Sequence, residues 1–129
     1  MGLTKDIGDC GEQAVAEYIK NKGYIISVLN FRTKYGEIDI IAENNDEILF
    51  VEVKTRADTY HGRPQEYVNY SKKRRIFITA NIYLRFNAFG LTPRFDVAEV
   101  LVDRLGNREI NYIENAFGAE SFNEFKATL

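Results

Sequence analysis

The 129 residues hold one cysteine, Cys10, and one histidine, His61. A single thiol excludes an internal disulfide and fits a reducing cytosol. With no second thiol and one loop histidine, cysteine-based nucleophilic chemistry and zinc sites of the Cys/His type drop out as well. The chain has no apolar run long enough to span a bilayer and no N-terminal signal sequence, so a cytoplasmic protein without a membrane partner is expected. Without a secretory signal the sequon Asn69-Tyr70-Ser71 carries no glycosylation meaning. Repeats, low-complexity tracts and linkers are missing too. The length suits one core and not two, which predicts a single domain over 1–129, with its core at about 4–117 and a tail at 118–129.

A basic excess is also lacking. The net charge is −2, which argues mildly against a nucleic-acid binder, because neutralising phosphates takes Lys and Arg. The distribution differs from the sum. Lys54, Arg56, Arg63 and the run Lys72-Lys73-Arg74-Arg75 crowd one part of the chain, against only Asp58 and Glu66. Such a patch can face an anionic partner, and the run can equally be a solvated helix face.

What the sequence does have is the stretch 36–56, GEIDIIAENNDEILFVEVKTR. Two β-branched apolar runs, 38–42 and 48–53, flank the turn-rich Asn44-Asn45-Asp46, which predicts a hairpin. Apolar side chains on both faces place these strands inside a sheet covered on both sides. Each run nevertheless carries a carboxylate, Asp39 in the first and Glu52 in the second, with Lys54 following. Alternation puts Glu52 and Lys54 on one face, about 6.6 Å apart along the strand. A loop at 44–47 sets Glu43 opposite Ile48, Ile41 opposite Phe50 and Asp39 opposite Glu52, on one face. Two adjacent buried carboxylates repel unless a cation lies between them, and hard oxygen ligands suit Mg²⁺ or Mn²⁺. A cross-strand ion pair on a solvated sheet end is the competing reading.

Around this centre the pattern is alternately helical and extended. Residues 4–21 read as a helix with Val15, Ala16 and Ile19 buried, Thr4 or Asp9 as N-cap, and Gly23 closing it. Glu12 falls on the buried stripe, as a first-turn acid or as a third carboxylate aimed at the sheet. Residues 24–29 are a strand, leading to Arg32 and Lys34, which are phosphate contacts or ordinary surface charges. Residues 55–66 read as a loop carrying Tyr60, His61 and Arg63. A second helix runs from about 67 or 71 to 86, with Ile76, Ala80, Tyr83 and Leu84 as core. Residues 93–102 and 108–113 are strands joined by a turn at 103–107. Asp96 within the first is read as a structural partner for Arg94 or a lysine. The tail 115–129 reads as a short helix with Phe117, Phe122 and Phe125 for packing or for a partner.

Gly11-Glu12 with Ala16 and Tyr18-Ile19, Asn30-Phe31-Arg32, Gly36-Glu37-Ile38-Asp39, and Phe50-Val51-Glu52-Val53-Lys54-Thr55-Arg56 together form a recognisable pattern. Lys72 with Arg75-Ile76, Ala80 with Tyr83-Leu84, Arg94-Phe95-Asp96-Val97 and Asn115-Ala116-Phe117 continue it in order. From about Gly8 to Phe117 the chain resembles the uncharacterised bacterial YraN-type family of predicted endonucleases. That family is similar to archaeal Holliday junction resolvases, within the PD-(D/E)xK restriction-endonuclease-like superfamily. Ile38 stands where the superfamily name has proline, a loosely kept position.

The resemblance implies an α/β fold with an αβββαβ core, a mixed central sheet flanked by helices. It assigns Mg²⁺ or Mn²⁺ ligation to Asp39 and Glu52, water activation to Lys54, and a supporting acidic role near the metal to Glu12. The implied activity is structure-selective DNA cleavage, on branched DNA in the resolvases, which act as homodimers. Arg32, Arg56, Lys72 and Arg75 are the expected phosphate contacts. Two rivals share this pattern: a catalytically silent nucleic-acid binding module, and a DNA-repair adaptor that uses the aromatic tail.

Overall fold

The computed structural model describes residues 2–57 and 69–118, with side chains from residue 11 onward. The elements are α1 (Gly2–Asn21), β1 (Ile25–Thr33), β2 (Gly36–Glu43), β3 (Glu47–Ala57), α2 (Tyr70–Leu84), β4 (Thr92–Val102) and β5 (Arg108–Phe117). The five strands form one mixed sheet in the order β1-β2-β3-β4-β5. Only β3 and β4 run parallel. A parallel pair needs a crossover, and α2 lies on the connection between these two strands.

The two-sided apolar runs are central strands, as expected. On one face Ile38, Ile41, Ile48, Phe50, Phe95 and Val97 pack under Ile76, Phe77, Ala80 and Tyr83 of α2. On the other, Ile40, Ala42, Leu49, Val51, Ala98 and Val100 pack under Val15, Ala16 and Ile19 of α1. The hairpin register is the one read from the sequence, with Glu43 opposite Ile48 and Ile41 opposite Phe50. Asn44 closes it as an Asx turn, its Oδ1 accepting the N–H groups of Asp46 at 2.9 Å and Glu47 at 2.8 Å. Gly23 ends α1 with a φ of 98°, a conformation that suits glycine.

Several boundaries differ from expectation. The first helix already begins at Gly2, so neither Thr4 nor Asp9 caps it and Glu12 lies beyond the first turn. β1 continues to Thr33 because Arg32 and Thr33 pair with Glu37 and Gly36. Residues 55–57, read as loop, extend β3 by pairing with Val100, Leu101 and Val102 of β4. The rest of that loop, with Tyr60, His61 and Arg63, lies outside the described residues. At the C-terminal end, Asn115–Phe117 is strand and not the start of a helix. Asn115 takes a φ of 51° at a register shift, and Phe117 then pairs with Phe95 and stacks on its ring at 5.2 Å. The remainder of the expected tail helix is also outside the described residues.

Asp96 has the structural role expected of it. It is fully buried and accepts from Arg94 Nε and Nη2 at 3.0 Å, from the Tyr112 hydroxyl at 2.6 Å and from the Asn115 N–H at 2.8 Å. Among the described residues no helix is long and apolar enough to cross a membrane.

Candidate functional site

The site forms where the β2–β3 ladder stops. Backbone pairing ends at Ile40–Val51. One residue further along each strand stand Asp39 and Glu52, and Asp39 Oδ2 accepts the Val53 N–H at 2.8 Å in place of a backbone carbonyl. The strands part here, and the two carboxylates line one cleft of about 260 Å³ with Gly36, Glu37, Lys72, Arg75 and Ile76. The carboxylates are brought together, as the sequence indicated.

The α2 helix supplies the opposite wall. Its start is set by Asn69, whose Oδ1 accepts the Lys72 N–H at 2.9 Å, so the sequon asparagine serves as an N-cap. Lys72 therefore lies in the first turn, beside the strand ends. Gly36 lets the helix come close: a Cβ there would stand 3.1 Å from Arg75 Cβ and 3.3 Å from Thr79 Oγ1. Lys72 Nζ reaches Glu52 Oε1 at 2.7 Å, while Lys54 Nζ is 3.7 Å from the same oxygen. Glu52 itself is 6% exposed.

Burial, and then the Glu52 charge, push the Asp39 carboxyl up to about 7, against the Val53 hydrogen bond that favours ionisation. Glu12 adds a smaller push in the same direction. Burial lowers the Lys54 ammonium below the usual lysine range, and the neighbouring Lys72 lowers it further. Burial also acts against the charge on Lys72, but the hydrogen bonds to Glu52 and Lys54 outweigh it and raise its pKa. Lys72 thus holds its proton more firmly than Lys54.

The other sequence candidates scatter around this centre. Glu12 is half-buried on α1 and belongs to a separate groove of about 310 Å³, with Leu29 and Asn30 on its far wall. Asn30 Nδ2 donates to Glu12 Oε2 at 3.4 Å. Among the described residues no three Asp, Glu, His or Cys side chains form a group that could hold a metal ion, and Glu12 reaches Asp39 through its charge. Arg32 pairs with Glu37 at 3.2 Å on the surface. Arg56 is half-buried on β3, two residues past Lys54, and Arg75 is exposed at the cleft.

Comparison with known proteins gives the family. The model of the "Uncharacterised protein family UPF0102" matches residues 11–100, which contain Glu12, Asp39, Glu52, Lys54 and Lys72. The chain belongs to UPF0102. This is the YraN-type family that the sequence resembles. A UPF0102 protein of Clostridium botulinum strain 657 (Type Ba4) is 48% identical over 117 residues, which cover 88% of this chain and 95% of that relative. Another, from Alkaliphilus oremlandii strain OhILAs, is 49% identical over 119 residues, 89% of this chain and 100% of the relative.

In this UPF0102 chain three features of the site escaped the sequence reading. Glu99, 5% exposed, sits opposite Lys54 in the parallel β3–β4 register and accepts from Asn111 Nδ2 at 3.4 Å. It is a carboxylate inside an apolar strand, the same signal that singled out Asp39 and Asp96. Gly11 lies where a Cβ would collide with Thr55 Oγ1, so its lack of a side chain lets α1 approach β3. Lys72 was read as a phosphate contact, yet here it is the closest cation to Glu52. No local pattern gives that distance.

Proposed function

We propose that this protein is a divalent-metal-dependent endonuclease acting on DNA, built on a restriction-endonuclease-like αβββαβ core. The element order from α1 through β4 supports that core. The observation that carries the reading is the pairing of Asp39 and Glu52 in an open, lysine-lined cleft, with Asp39 driven up to about 7 by burial and its neighbour's charge. Two carboxylates this close are costly without a cation between them.

The donor set fits a hard divalent ion. Mg²⁺ takes one or two carboxylates and keeps several waters, and the cleft is open enough for those waters. Asp39 and Glu52 would hold it, with Glu12 contributing negative charge from α1. When bound, such an ion lowers the pKa of water and neutralises phosphoryl charge.

The remaining work falls to the chain itself. Lys54, with its lowered proton affinity, orients the attacking water and stabilises charge on the phosphoryl oxygens. Lys72, Arg75, Arg32 and Arg56 contact phosphates, and the N-terminal end of α2 adds its positive field to the cleft. These groups read backbone geometry, not bases, which supports selection of DNA by shape, including branched DNA. A homodimer suits a two-fold junction, and a cytoplasmic setting is part of the same proposal.

Labelled four-way junction, flap, duplex and single-stranded DNA, incubated with Mg²⁺, Mn²⁺ or chelator, tests the activity. Metal-dependent cutting that Glu52→Gln and Lys54→Ala both abolish is the expected result. Cutting that survives both substitutions would remove this site from the reaction. A second reading, a catalytically silent DNA-binding module, is favoured by the lack of a third acidic ligand among the described residues. Metal-independent binding by wild type and Asp39→Asn, with no cutting, would select it.

A further inference from the structure

We propose that Lys72 is a stand-in cation: its ammonium neutralises Glu52 while the metal is absent, and a divalent ion must displace it to reach Glu52. The inference rests on the metal-site reading above and assigns Lys72 a role beyond phosphate contact.

Glu52 is 6% exposed, and burying a carboxylate is costly without a charge partner beside it. Two lysines are near it, but unequally. Lys54 projects from the same strand two residues away and stops at 3.7 Å, whereas Lys72 crosses from α2 to hydrogen-bonding distance, 2.7 Å. Asp39, the other carboxylate of the cleft, takes the Val53 N–H, and among the described residues it forms no ion pair. The positive charge is therefore concentrated on Glu52, at its Oε1.

The surroundings favour release. Lys72 is 36% exposed on a flexible four-carbon stem, so it can withdraw into solvent without moving the backbone. It lies in the first turn of α2, where the helix dipole opposes a cation, and beside a second ammonium, Lys54. Among the described residues it is held by its ion pair with Glu52, with a weaker pull from the Asp39 charge. The close contact of Gly36 with Arg75 and Thr79 fixes the helix against β2, so displacement is a side-chain swing and not a helix shift.

Calorimetric titration with Mn²⁺ tests this without substrate. Wild type, Lys72→Met, Lys72→Gln and Arg75→Met are compared at fixed ionic strength, with urea denaturation confirming that each is folded. Arg75→Met removes the same charge from the same cleft without touching Glu52. Both Lys72 variants are expected to bind Mn²⁺ about tenfold more tightly than wild type, because one charge-assisted hydrogen bond no longer has to be broken. Arg75→Met is expected to change affinity by about twofold or less, as a screened charge at the cleft mouth. Unchanged or weaker binding by the Lys72 variants, or equal tightening by Arg75→Met, overturns the stand-in role and leaves the metal site standing. No Mn²⁺ binding by any of the four overturns the metal-site reading and this inference together.

Discussion

Asp39 Oδ2 accepts the backbone N–H of Val53 at 2.8 Å, one step beyond the last backbone pair of the β2–β3 ladder. A side chain thus ends the ladder, and in doing so aims its carboxyl at the cleft shared with Glu52. The bond favours ionisation, but burial and the Glu52 charge outweigh it, leaving Asp39 at about 7 against an ordinary 3.8.

That balance has a signed consequence for stability. Between pH 3.8 and about 7 the folded protein holds a proton on Asp39 that the unfolded chain has released, so stability from this group falls as pH rises through that window. Asp39→Asn keeps an acceptor for the Val53 N–H and abolishes the titration. In chelator, the variant should match wild type near pH 4 and exceed it at pH 8, by at most about 4 kcal/mol. Urea denaturation at both pH values measures the difference. A variant less stable than wild type at pH 8 would mean that Asp39 is not held under electrostatic strain.

Asp96 should behave in the opposite way. It is fully buried, and Arg94, Tyr112 and Asn115 all donate to it. Asp96→Ala strips these donors of their acceptor and leaves Arg94, among the described residues, with Glu47 and the more distant Glu114 as acidic partners. A loss of about 3–5 kcal/mol is expected, the cost of breaking a buried pair on one side. Thermal denaturation should show the same loss with and without Mn²⁺, because this network lies on α1's side of the sheet among Tyr18, Tyr24 and Leu49. A loss below about 1 kcal/mol would make the network incidental.

Gly11 offers a test in which propensity and packing have opposite signs. Within a helix, glycine to alanine should stabilise by about 1 kcal/mol. Here the new Cβ would run into Thr55 Oγ1, so Gly11→Ala is expected to cost about 1–3 kcal/mol instead. Adding Thr55→Ala should recover most of that loss, giving a coupling well outside the additive limit of about 0.5 kcal/mol in a double-mutant cycle. Additive effects would show that α1 does not press on β3 at this point.

The parts of the site that were legible in the sequence lie within one hairpin. Asp39 and Glu52 could be paired from 36–56 alone because the turn at Asn44 sets the register and alternation sets the face. The extent of β5 could not be read in the same way. Its last residues look like the start of a tail helix until Phe117 is placed against Phe95 and Phe50, whose stacked rings reward continued pairing. Glu12 shows the limit differently: helical spacing put it on the buried side of α1, but not in which groove.

The two-faced central strands, the hairpin register, the buried faces of both helices and the meeting of two carboxylates all follow from local pattern. Each depends on contacts within a few residues or on a fixed period of the backbone. Packing alone shows that Lys72 and not Lys54 lies closest to Glu52, that Glu99 faces Lys54, and that Glu12 lines a neighbouring groove. Those relations depend on the parallel pairing of β3 with β4 and on the close seating of α2 over Gly36. Periodicity says which way a side chain points; the distance between elements far apart in the chain is set by how their surfaces pack.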